Sequence, residues 1–166
     1  MFDKIEDEIK MILDNLAVTD KKLSGLSDKG WTERIKDELC TLGHKHKYGV
    51  SASGIKKADK AEWLFDLIWA DRNDNPWQFF EMPLVVECEW NTIKGVITYD
   101  FDKLLVAKAR HKLMVFQQEN QDNVNNVIAS LKGIIKHFKM TYPGERYLLA
   151  GYSTSNHKFS YELIVL

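Results

Sequence analysis

The sequence is short of cysteine, of net charge and of long apolar runs. Its two cysteines, Cys40 and Cys88, lack the close spacing of a zinc knuckle or a redox motif. They are expected to be reduced, buried thiols. Lys and Arg number 23 against 24 Asp and Glu, a formal charge of -1, so the chain has no global basic field of the kind many nucleic-acid binders carry. Any attraction for phosphate falls to local lysines or a metal. No apolar run approaches membrane-spanning length, and the opening Met1 to Glu8 is acidic and broken by charges, unlike a secretory signal. The expectation is a cytoplasmic protein without a membrane partner. Repeats and low-complexity tracts are absent too.

What is present is one core's worth of apolar residues: 45% of 166 positions, enough for a single domain and too few for two. Phe2, Ile5, Ile9, Ile12, Leu13 and Leu16 recur at helical spacing and predict an amphipathic helix over residues 2 to 17. A Ser, Gly and Asp-rich loop from Leu23 to Gly30 completes an N-terminal portion, residues 1–30. Trp31, Ile35, Leu39 and Leu42 mark a second helix ended by Gly43, and Glu38 shares its apolar stripe. Residues 46–53 read as a short strand. Trp63 to Trp69 and Leu84 to Trp90 read as buried strands joined by a loop from Asp71 to Met82. Asp100 is the expected cap of a helix carrying Leu104 and Leu105, and Lys112 to Phe116 is a strand. A last helix outlined by Val124 to Phe138 and two strands, Tyr147 to Tyr152 and Phe159 to Val165, complete residues 118–166. This order predicts an α/β fold, a mixed central β-sheet flanked by helices.

The two buried-type strands carry carboxylates where valines belong. Alternation puts Glu87 and Glu89 on one face of their strand. If the Asp71 to Met82 connection is symmetric, Asp66 falls opposite Glu87, and one ion bridges the gap; a one-residue slip would separate them. Close carboxylates on an apolar sheet need a compensating cation. An all-oxygen set suits Mg²⁺ or Mn²⁺ better than zinc. The alternative is that these acids pair with nearby lysines or lie on a solvated face.

The succession of a helix with Glu38, a strand, the Asp66 strand, the Glu87-Cys88-Glu89 strand, a helix and a strand resembles the PD-(D/E)XK phosphodiesterase superfamily, the restriction-endonuclease-like αβββαβ core, over residues 31–117. The resemblance implies a metal-dependent nuclease cutting nucleic acid, DNA more than RNA, by Mg²⁺-assisted hydrolysis. It makes Asp66, Glu87 and the carbonyl of Cys88 metal ligands and Glu38 an auxiliary acid. Phe65 replaces the motif proline, and Glu89 stands where the motif has lysine. A substitute cation is therefore needed, Lys103 or Lys108, with Lys103 favoured. Without it the fold becomes a catalytically inactive module binding nucleic acid or protein, and a third reading is an unrelated α/β protein with a structural ionic cluster.

Two other features carry ordinary readings. His44-Lys45-His46 has a ligand-like spacing but reads as a solvated turn, which with Lys47, Lys56, Lys57 and Lys60 adds local positive charge. Trp77, Phe79 and Phe80 crowd the Asp71 to Met82 segment, where aromatics plug a core end, stack on bases or form a homodimer contact.

Overall fold

The computed structural model describes residues 1–20 and 27–166. The expected loop at Leu23 to Gly30 therefore lies partly outside the described residues. The chain folds as α1 (Lys4–Asp20), α2 (Asp28–Lys45), β1 (Gly49–Ser51), β2 (Leu67–Asp74), β3 (Trp77–Glu89), α3 (Lys94–Val106), β4 (His111–Gln118), α4 (Gln121–His137), β5 (Arg146–Ser153) and β6 (Lys158–Val165). The strands form a single mixed sheet in sequence order, β1-β2-β3-β4-β5-β6. β1, β2 and β3 are an antiparallel meander, α3 and α4 are the crossovers of the parallel run β3-β4-β5, and β6 returns antiparallel. The α/β class with a mixed sheet is as the sequence pattern indicated.

Alternation along β3 explains the layering. Leu84 and Val86 face a core with Ile9 and Leu13 of α1 and Ile35 and Leu39 of α2. Val85 faces a second core with Phe101 and Leu104 of α3 and Val124 and Leu131 of α4. The sheet is thus buried on both faces, as parallel strands require.

Local chemistry sets the helix starts. Asp3 Oδ1 accepts from the amides of Ile5 and Glu6, while Glu6 Oε2 accepts from the amide of Asp3, a reciprocal capping box. Ser27 caps α2 through the Gly30 amide. Gly43 does not end α2, as its sequence position suggested. It lies inside the helix at a close approach to the sheet, where an added Cβ would stand 2.6 Å from Trp69 Nε1 and 2.7 Å from Val50 Cγ2.

Four further expectations are corrected. The strand expected over Trp63 to Trp69 begins only at Leu67, because Leu64 has a left-handed backbone (φ 67°) that breaks the extension. Asp71 to Met82 is not a loop: β2 and β3 continue to a turn at Asn75-Pro76, with register shifts on either side of Asp71. Asp100 does not cap α3, which starts six residues earlier behind Ile93. β1 is also shorter than residues 46–53, spanning only Gly49–Ser51. Both cysteines are free, Cys40 buried and Cys88 half-buried.

Candidate functional site

The β2–β3 pairing ends with Leu67 opposite Val86, and the next residues out, Asp66 and Glu87, interact through their charges near the carboxyl end of β3. The register therefore does not slip at the point that matters. Asp66 lies just before β2, and its Oδ2 accepts from the Cys88 amide at 2.8 Å, taking the bond a longer β2 would have made. Glu87 is buried, 2% exposed. Lys103 reaches it from α3: Nζ lies 2.7 Å from Glu87 Oε2 and 2.9 Å from Asp100 Oδ1. Lys103 comes from the last turn of α3, not the first, with Asp100 one turn earlier on the same stripe. Lys108 is exposed in the connection after that helix.

The second Glu87 oxygen, Oε1, is buried without a hydrogen-bond partner. Such an orphan is costly, and native proteins keep few of them. Burial raises the Glu87 carboxyl to about 8; the Lys103 bond opposes this, and the charge of Asp66 reinforces it. Burial likewise raises Asp66, opposed by the Cys88 amide and by Lys36. Burial works against the Lys103 charge, but Glu87 and Asp100 outweigh it and hold the ammonium protonated. The Cys88 thiol is pushed well up by burial and the adjacent carboxylates, which leaves its backbone carbonyl as the useful donor.

Glu89 and Glu38 do not join the pair. Glu89 bends to its own chain, where Oε1 accepts from the Asn91 amide at 2.6 Å. Burial and a hydrogen bond shared with Asp100 raise its carboxyl. Glu38 is exposed and lines a surface groove with Arg34, Asp37, Lys56 and Lys57. The residue α2 does contribute is Lys36, 6% exposed, with Nζ 3.6 Å from Glu62 and its charge acting on Asp66.

Among the described residues, the trio of possible metal-ligating side chains gathered within 4.8 Å is a different one: Asp3, Glu6 and His111. It lies at the opposite end of the sheet and is already answered by cations. Arg146 Nε and Nη2 each donate to Glu6 at 2.7 Å, and His111 Nε2 lies 2.8 Å from Asp3 Oδ2. The histidines of the 44–46 segment are also matched, His44 with Asp59 and His46 with Glu8.

The fold and site thus define an α/β protein with a six-stranded mixed open sheet, a buried Glu87 near the carboxyl end of β3 and a half-buried Asp66 just before β2. No family model, curated protein or solved structure matches the chain. No helix among the described residues is long and apolar enough to cross a membrane.

Proposed function

We propose that the chain is a metal-dependent phosphodiesterase acting on nucleic acid, DNA in the first instance, with a restriction-endonuclease-like core spanning α2 to β4. The observation that carries the reading is Glu87 Oε1, a buried carboxylate oxygen without a hydrogen-bond partner, with the half-buried carboxylate of Asp66 acting on it. Such a pair favours a small hard cation, Mg²⁺ or Mn²⁺, because oxygen donors and excess negative charge are what those ions select. Asp66, Glu87, Asp100 and Glu62 are four acids around two lysines, Lys36 and Lys103, so the local charge remains negative.

Asp66, Glu87 and the Cys88 carbonyl would hold the ion, which supplies Lewis-acid activation of water and neutralises charge on the phosphate. Lys103 takes the place of the motif lysine that Glu89 displaces. Its Nζ fixes one Glu87 oxygen and leaves the other available, and it carries a permanent positive charge to the edge of the site. The order α2, β1, β2, β3, α3, β4 supports this reading, since the resemblance rests on a helix, three strands, a helix and a strand.

A second reading has its own observation. The 2.7 Å contact of Lys103 with Glu87 is itself a neutralising ion pair, which suits a nuclease-fold module that binds without cutting. Titration calorimetry with Mg²⁺ and Mn²⁺, and cleavage of labelled single-stranded, duplex and branched DNA with and without EDTA, separate the two. Asp66→Ala and Glu87→Ala are each expected to lower metal-dependent cleavage by about two orders of magnitude or more. Cleavage that survives both substitutions sinks the assignment, and binding without cleavage or metal uptake supports the second reading.

A further inference from the structure

A groove of about 310 Å³ is lined by Ser51, Lys60, Trp63, Ile68, Arg72 and Phe79, with Trp63 and Ile68 flanking Asp66 in the sequence. Its size is at the lower end of the roughly 300 to 1,000 Å³ of small-ligand pockets. The two aromatic rings form its apolar walls, with centroids 5.9 Å apart and planes tilted by 54°. Trp63 is 51% exposed and Phe79 41%, a large apolar area left in water at one place. Exposed apolar surface of this kind marks a binding site more often than a folding requirement. The backbone is shaped for it: left-handed Leu64 turns the chain directly after Trp63.

Positive charge accompanies the rings. Lys60 and Arg72 are on the lining, with Arg72 Nη1 oriented by Ser51 Oγ at 3.4 Å. The acid on the lining, Glu62, is answered by Lys36, the same lysine whose charge acts on Asp66. Lys36 thus links the groove's acid to the carboxylate pair, and Trp63 is three residues from Asp66. An aromatic face beside cationic side chains is the combination that binds unpaired nucleic acid, since every base offers a stacking face and every nucleotide a phosphate. Bases inside a duplex have both faces covered, and a base pair does not enter a concavity of this volume.

We propose that the groove holds an unpaired nucleobase against Trp63 and Phe79, with the adjoining phosphate toward Arg72 and Lys60. The substrate class is then single-stranded or locally unpaired nucleic acid, cut beside the seated base. This rests on the phosphodiesterase reading of Asp66 and Glu87, but the binding step is measurable without it.

The test is fluorescence anisotropy of a short labelled oligothymidylate and of its duplex, in EDTA, with circular dichroism to establish that each variant is folded. The parent is expected to prefer the single strand, Trp63→Ala and Phe79→Ala each to lose about tenfold in affinity, and Trp63→Phe to retain most of it. Alanine variants that bind like the parent, a parent that prefers duplex, or a parent that does not bind overturn the proposal. So does loss of self-association in the same variants with oligothymidylate affinity unchanged, which gives the groove to a second copy of the chain. Single-strand binding that depends on Trp63 without any metal-dependent cleavage upholds the groove and sinks the hydrolase reading alone.

Discussion

Glu87 is held where its ionisation is opposed by removal from water and by the charge of Asp66, and the Lys103 bond only partly offsets this. Its carboxyl is pushed from an ordinary value near 4.5 to about 8, so between these limits the folded chain binds a proton the unfolded chain releases. The stabilising contribution is therefore fully present below the lower value and is lost as pH rises toward the higher. One pKa unit corresponds to roughly 1.4 kcal/mol, so the loss is on the order of a few kcal/mol. Asp66 titrates in the same direction. Urea unfolding in EDTA is expected to show parent stability declining from pH 5 to pH 8, and Glu87→Gln flattening that decline. A parallel decline in the variant would show that Glu87 is not its source. The shared face behind this prediction was readable in the sequence from two hydrophobic runs interrupted by acids, while the register rested on assuming a symmetric connection between them. Lys36 was not readable as a partner, since its long side chain gains its position only from packing across the sheet.

Two helices place glycine in opposite situations. At Gly43 of α2 an added methyl would meet Trp69 and Val50 at under 3 Å, whereas at Gly133 of α4 nothing lies within 4 Å. Helix propensity favours alanine over glycine by about 1 kcal/mol at either site. Overpacking costs about 1 to 3 kcal/mol, and at Gly43 it also strains the Trp69 Nε1 bond to the Leu39 carbonyl. Gly43→Ala is therefore expected to destabilise by about 1 to 2 kcal/mol and Gly133→Ala to stabilise by up to about 1 kcal/mol. Denaturant titrations at one pH check both, and equal signs for the two would refute the close approach of α2. This contrast explains why Gly43 read as a stop: a glycine required for clearance and one required by a helix end look identical in one dimension. The outer half of the β2–β3 hairpin was illegible for a related reason. Among the side chains described there, Asp71, Asn73, Gln78, Phe79, Phe80 and Glu81 are all exposed, so these positions impress no alternating pattern. Asp100 misled because a good capping residue served instead as an ion-pair partner of Lys103 inside a helix.

Across the whole molecule, the order of elements was legible because nearly every strand and helix buries one continuous face, while the contacts that close the ends of the chain were not. Arg146 at the start of β5 binds Glu6 of α1 through two nitrogens and also donates to the Met1 carbonyl, a link across 140 residues that leaves no periodic trace. Glu6 is 1% exposed, and its carboxylate both anchors the capping box and receives the guanidinium. Removing Arg146 therefore strands a buried charge. Breaking one partner of a buried pair costs about 3 to 5 kcal/mol, far more than the net worth of the pair, because the remaining ion has neither water nor partner. Arg146→Gln is expected to fall in that range. Glu6→Gln combined with Arg146→Gln is expected to recover part of the loss, because a neutral amide still accepts the Asp3 amide bond and no charge is left buried. Amide exchange in α1 should rise in the single variant and move back toward the parent in the double variant, since α1 is joined to the rest of the fold through this contact and its apolar face. A single substitution costing less than about 1 kcal/mol would place the pair among solvent-screened surface contacts, despite its burial.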